Sequence, residues 1–335
     1  DDLHLGILIR NLIYKTIKDN AAREHISFLD AAKTILEKVF GLNYKDDEED
    51  EVFGIYRPEL ERQINEELAG CFNKRYGVEK VGLIKAFYPV IDSQTFATDY
   101  QNDRNGMLKR VKELTKADAA TVRDALAMML DHMRHEGGMR CLRDFKKYGT
   151  RPAAFVEQLS SKGRPTQYYS VTGIQRKQRT TGRRSFYNHT VFTKFIEKTF
   201  DVTDGTRQNE IVSCLFRYLQ QAGLLTHEQI GQRSQGGRYR GEGYMVDESK
   251  VSFGSPDVVS ECQRCGEKSS RTAGQVACFT YRCDGHESRQ LSTDEILRAD
   301  DIYIKRYTQE IPVRLITAED HGGIDDVRRK KIETA

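Results

Sequence analysis

Apolar residues recur at helical spacing from Leu3 to Phe40, first through Leu5, Ile9, Leu12, Ile13 and Ile17, then through Phe28, Ala32, Ile35, Leu36 and Val39. That period predicts two amphipathic helices, with Ser27 as N-cap of the second. Further helical patterns cover about 57–76, 80–90 and 104–135, the last carrying Met107, Val111, Leu114, Val122, Leu126, Met129, Leu130 and Met133. Flexible methionines fill irregular core gaps, so this cluster reads as core. Asp46 to Glu51 is an unbroken acidic run and reads as a solvated loop. Residues 1–148 therefore predict a helical domain whose sequence carries no chemistry.

The pattern changes after Tyr148. Between Glu157 and Glu197 there is no acidic residue, while Lys162, Arg164, Arg176, Lys177, Arg179, Arg183 and Arg184 accumulate. Tyr168, Tyr169, Phe186 and Tyr187 are interleaved with them, and Gly163, Pro165, Gly173 and Gly182 break helical continuity. Residues 149–186 read as a flexible basic linker. Cations there displace counterions from a phosphate backbone, and aromatic rings stack on unpaired bases. Arg176, Lys177, Arg179, Arg183 and Arg184 are its candidate nucleic-acid contacts.

In 187–256 the order of elements carries the signal. Val191, Phe195 and Ile196 share a helical face, and Asp204-Gly205-Thr206 offers a second helix start. Ile211, Leu215, Tyr218 and Leu219 form its apolar stripe, and Gly223 ends it. A strand at Leu224-Leu225-Thr226, a glycine-rich basic loop from Gly231 to Gly241 and a strand at Tyr244-Met245-Val246 follow. Helix, strand, basic loop, strand is the layout of a winged helix, which lays a helix in a DNA groove and a wing along the phosphates. Arg207 and Asn209 are the candidate groove-facing residues; Arg233, Arg238 and Arg240 are the candidate wing contacts.

Residues 257–292 hold four of the seven cysteines, Cys262, Cys265, Cys278 and Cys283, whereas Cys71, Cys141 and Cys214 are scattered in apolar company. Cys262-x-x-Cys265 followed by Cys283-x-x-His286 has the spacing of two knuckles around a tetrahedral zinc, with Gly266 and Gly285 permitting the turns. The expected ligands are Cys262, Cys265, Cys283 and His286, with Cys278 as the alternative fourth. Four protein ligands leave no position for water, so the zinc is expected to be structural.

Composition narrows the class. The chain has 335 residues, enough for two or three domains, with 38% hydrophobic and 31% charged residues and a net charge of +3. No run approaches the roughly 18 apolar residues of a membrane span. Clustered cysteines that suit metal point to a reducing, cytoplasmic setting. The opening Asp1-Asp2-Leu3-His4 lacks both an initiator Met and the layout of a signal peptide, as expected of a piece of something longer.

Near the C-terminus the chain runs Ile311-Pro-Val-Arg-Leu-Ile-Thr-Ala-Glu-Asp into His321-Gly322-Gly323, then Arg328 and Ile332-Glu333. This resembles the second RecA-like domain of superfamily 2 helicases, where a strand leads to a His-x-Gly turn and a helix bearing an Arg and an Ile-Glu pair. The order of winged helix, zinc knuckle and strand–turn–helix is similar to that in large DEAD/DEAH-type helicases of bacterial and phage-defence loci. The resemblance implies that 293–335 begins a RecA-like domain, that the parent protein uses ATP and Mg²⁺, and that it moves on or unwinds DNA alongside other subunits of a defence complex. The chain itself has neither a Gly-x-x-x-x-Gly-Lys-Ser/Thr phosphate loop nor an Asp-Glu-x-His or Asp-Glu-Ala-Asp sequence. It is expected not to hydrolyse ATP alone, and no catalytic residue is assigned.

The expected fold is thus mainly α and multidomain, α+β overall: a helical N-terminal domain, a winged helix, a small zinc ribbon and a partial RecA-like unit. The expected function is that of a DNA-binding accessory region of a helicase or translocase. A stand-alone DNA-binding regulator and a protein-interaction scaffold are the alternatives.

Overall fold

A computed structural model describes residues 2–20, 25–43, 49–71, 76–103, 106–142, 153–159, 165–172, 186–229, 242–271, 276–280, 283, 285 and 287–309. The first part of the chain forms α1 (Asp2–Asp19), β1 (Ile26–Ser27), α2 (Phe28–Asn43), α3 (Glu49–Ala69), β2 (Lys85–Phe87), α4 (Phe96–Gln101), α5 (Met107–Thr115) and α6 (Ala119–His135). Ser27 caps α2 as its sequence predicts, its Oγ accepting from the Asp30 amide at 3.1 Å. Asp118 caps α6 in the same way, accepting from the Thr121 amide at 2.8 Å. Met129 and Met133 are fully buried, as core methionines should be.

Three local expectations change. Glu49, Asp50 and Glu51 lie within α3 rather than in a loop, where the first turn of a helix favours acidic residues. Segment 80–90 is not helical: turns lead into β2, which pairs antiparallel with β7 (Ser252–Gly254). β1 pairs with the other edge of β7, giving the sheet order β1-β7-β2. Residues 1–148 are therefore not all-helical, because strands too short to show a period are completed by a partner over 150 residues away.

Two hairpin strands, β3 (Ala153–Leu159) and β4 (Pro165–Thr172), occupy the segment expected to be a linker. Their content of Phe, Val, Tyr and Thr favours strand, and Lys162-Gly163-Arg164 falls between them in sequence. After them come α7 (Phe186–Phe200), α8 (Gly205–Gln221), β5 (Leu225–Gln229) and β6 (Glu242–Val246). Asp204 caps α8 through the Arg207 amide at 2.8 Å, and Gly223 stands at φ +71°, the left-handed conformation that ends a helix. β5 and β6 pair antiparallel, Leu225 opposite Val246 and His227 opposite Tyr244. β6 also meets β3 at Phe155–Tyr244, so the sheet runs β4-β3-β6-β5.

The chain then forms β8 (Val258–Cys262), β9 (Lys268–Ser269) and β10 (Ser288–Ser292), a small antiparallel sheet with β8 in the centre. It continues into α9 (Thr293–Arg298) and α10 (Ile302–Thr308). α10 docks on α1: Tyr307 is fully buried, and the Asn11 amide donates to the Gln309 carbonyl at 2.7 Å. Buried residues from Leu8 to Tyr307 belong to one connected hydrophobic cluster. The architecture is mixed helix and sheet. No helix among the described residues is long and apolar enough to cross a membrane.

Candidate metal centre and surrounding charges

The metal knuckle starts where β8 ends. Beyond Cys262 the chain reverses tightly: the Gly266 amide donates to the Cys262 carbonyl at 2.9 Å, and the Cys262 amide donates to the Glu267 carbonyl at 2.9 Å. Gly266 stands at φ +71°, a conformation that strains any side chain. The opposing stretch of chain is held by the Cys278 amide, which donates to the Gly285 carbonyl at 3.2 Å, and the Cys283 amide, which donates to the Thr280 carbonyl at 3.0 Å. A Cβ on Gly285 would lie 2.5 Å from the Cys262 sulfur, so only glycine lets the two turns approach.

These turns bring the sulfurs of Cys262, Cys265, Cys278 and Cys283 within 4.8 Å of one another. Cys262 and Cys283 are 3.7 Å apart, and Cys265 and Cys278 are 3.6 Å apart. A tetrahedral ion with metal–sulfur bonds of about 2.3 Å places its ligands about 3.8 Å from each other, which matches this spacing. A disulfide needs about 2.05 Å, and all four thiols are free. Burial opposes ionisation of Cys262, but its contacts with the Cys265 and Arg264 backbone hold its thiol below the ordinary value. Four cysteines are thus positioned to bind a metal ion. Cys262, Cys265 and Cys283 meet as the spacing predicts; Cys278, expected only as the alternative, completes the cluster, and His286 lies outside the described residues.

The knuckle is fixed to the rest of the fold from two sides. On one, the last turn of α7 clamps it: Lys198 donates to the Cys283 carbonyl, and the Ala277 amide donates to Thr199 Oγ1 at 3.3 Å. On the other, Arg271 reaches back into the N-terminal helices with only 2% of its side chain exposed. It donates to Asp92 at 2.7 Å, to Asp131 of α6 at 3.4 Å and to the Ala86 carbonyl at 2.8 Å. Asp131 also accepts from the Tyr88 hydroxyl at 2.6 Å and from Arg134 at 3.2 Å. Arg134, fully buried, donates to Glu79 at 2.6 Å and to the carbonyls of Leu68 and Ala69.

His135 lies 3.0 Å from the same Glu79 carboxylate. Burial raises the cost of the Glu79 charge, yet Arg134 and His135 outweigh it and hold that carboxyl well below the usual range. Burial, together with nearby Lys80 and Arg134, pushes His135 below its ordinary value of 6.5. Between this network and the knuckle lies a cavity of about 260 Å³, lined by Glu79, His135, Ser260, Cys262, Cys278 and Phe279 among others. None of these buried charges was legible as a site in the sequence.

The face of α8 is the second candidate surface. Ile211, Leu215, Phe216 and Leu219 are buried, while Thr206, Arg207, Arg217 and Gln220 are exposed, with Asn209, Glu210 and Ser213 half-buried. The outward side is therefore a polar stripe along the helix. Arg217, on that stripe, was missed; its position at i+4 from Ser213 and well outside the apolar face would have revealed it. Arg233, Arg238 and Arg240, in the connection from β5 to β6, lie outside the described residues, as do Arg176, Lys177, Arg179, Arg183 and Arg184. His321, Gly322, Gly323 and Arg328 lie outside them as well. No protein-family model matches the chain, and neither a curated protein nor a solved structure does so.

Proposed function

We propose that this chain is a DNA-binding accessory region, a winged helix braced by a structural zinc knuckle, of an ATP-dependent helicase or translocase. The observation that carries the reading is the arrangement of α8 and the β5–β6 pair. A helix with a polar outward stripe bearing Arg207 and Arg217 precedes two antiparallel strands, and the connection between those strands has the sequence Gly231-Gln-Arg-Ser-Gln-Gly-Gly-Arg-Tyr-Arg-Gly241. In this reading α8 enters a groove, and Arg233, Arg238 and Arg240 neutralise phosphates beside it. Zinc on Cys262, Cys265, Cys278 and Cys283 holds the knuckle closed, a role that suits four sulfur ligands with no open position. The helicase assignment rests on the resemblance at 311–333; ATP and Mg²⁺ belong to the parent protein.

Fluorescence anisotropy with single-stranded, duplex and forked DNA at two salt concentrations tests this. Salt-sensitive binding that favours forked or single-stranded DNA, weakened severalfold by Arg207→Ala/Arg217→Ala, is the expected result. Preference for plain duplex supports a stand-alone regulator instead. Absence of binding to every form contradicts the reading.

A further inference from the structure

The N-terminal helices have so far served only as a scaffold, yet α5 packs directly against α8 and carries the densest exposed positive charge among the described residues of that scaffold. Leu108 and Val111 face the core, whereas Lys109, Arg110, Lys112, Glu113 and Lys116 are exposed. The helix is joined to α8 by Arg110, which donates to Glu210 at 2.6 Å and to Glu113 at 3.2 Å. The Arg110–Glu210 ion pair thus spans the seam between the exposed sides of α5 and α8.

Acidic groups around α5 are already engaged. Asp103 caps the helix, accepting from the Leu108 amide at 2.7 Å, and Asp118 caps α6. Glu113 and Glu210 are held by Arg110. No ion pair among the described residues engages Lys109, Lys112 or Lys116; Lys112 lies over the Tyr100 ring at 5.8 Å. Glu113 and Glu210 are held in ion pairs by Arg110, whereas Lys109, Lys112 and Lys116, at i, i+3 and i+7 on one face of the helix, stand exposed and are free to meet a polyanion.

We propose that α5 is a second phosphate-contacting element, in which Lys109, Lys112 and Lys116 grip the DNA backbone next to the groove that α8 enters. The proposal rests on the DNA-binding reading of α8 and extends it to the N-terminal part of the chain. At 1.5 Å per residue, Lys109 to Lys116 spans roughly 10 Å, about three steps of 3.4 Å along one DNA strand. Contacts of this kind set position and affinity and carry no base preference.

The test is the salt dependence of duplex and forked DNA binding by the full chain and three variants. Lys109→Gln/Lys112→Gln/Lys116→Gln should lower the slope of log K against log salt by about 0.9 for each phosphate no longer neutralised, equally on all sequences. Glu113→Gln, which removes the exposed anion from the same face, should tighten binding about two- to threefold at low salt, a gain that misfolding cannot produce. Arg207→Ala/Arg217→Ala separates the two claims. If it weakens binding while the triple lysine variant and Glu113→Gln leave slope and affinity unchanged, α5 does not touch DNA and the α8 reading stands. If the wild-type chain binds no DNA, both fall. If the lysine variant loses binding to an acidic peptide but not to DNA, the face serves a protein and the proposal is overturned.

Discussion

Arginine plays opposite parts in two regions of this molecule. At the joint between α6 and the metal knuckle, Arg134 and Arg271 are withdrawn from water and saturated with partners: Glu79, Asp131, Asp92 and three backbone carbonyls. On the outer sides of α8 and α5, Arg207, Arg217, Lys109, Lys112 and Lys116 stand exposed. Inside, each charge is surrounded by groups that would be stranded without it, so charge fixes geometry. Outside, charge is screened and loosely held, contributing little to stability but remaining available to a polyanion. One region holds the parts together, and the other presents them.

The sharpest way to break this contrast is to remove two sulfurs from the candidate metal centre at the joint. Cys262→Ser/Cys278→Ser should abolish metal binding by the four-sulfur cluster and open the knuckle, because apparent zinc-binding free energies of about 10 kcal/mol or more are folding free energies in small four-ligand sites. Metal content and hydrogen exchange at 258–292 read the change; protection unaltered after metal loss would show that the core alone holds this segment.

Next in size is Arg271→Ala, which leaves Asp92 without its ion-pair partner and Asp131 with Arg134 and Tyr88 alone, and should cost about 3–5 kcal/mol in denaturant unfolding. The surface counterpart, Arg217→Ala, should fall within about 0.5 kcal/mol of the wild type. Equal costs at the two positions would erase the distinction between the regions.

The smallest effect concerns pH. His135 binds a proton less readily when folded than when unfolded, so its contribution to stability is complete above pH 6.5 and declines as the pH falls below it. Glu79, held low in the folded state, adds a further loss only below its ordinary value of 4.5. Unfolding free energy should therefore start to fall just below pH 6.5, and His135→Gln should flatten that upper part of the curve while leaving the acid limb. A variant that follows the wild-type profile from pH 7 to pH 5.5 would show that His135 does not titrate against the fold.

What the sequence revealed was local. The Cys262–Cys265 knuckle, the caps at Ser27 and Asp204 and the apolar stripe of α8 all depend on residues a few positions apart, and each stands where its spacing places it. The fourth sulfur was harder, since Cys278-x₄-Cys283 is a less usual pair than Cys283-x-x-His286. Only the folding back of 276–280 against Gly285 puts Cys278 beside Cys265. The hairpin at 153–172 had a readable strand composition that its neighbouring charge obscured. Arg271 with Asp92 and Arg134 with Glu79 had no local signal: their partners lie 179 and 55 residues away, and a charged residue ordinarily reads as surface. The same distance hid the pairing of β7 with β1 and β2, and with it the unity of the core.

Zinc-edge X-ray absorption on the purified chain, with metal content measured on the same sample, tests the central claim most directly. The expected result is one zinc per chain with four sulfur neighbours at about 2.3 Å and no nitrogen. A shell of three sulfurs and one nitrogen would return His286 to the site in place of Cys278, and a chain without stoichiometric metal would contradict the account of the joint.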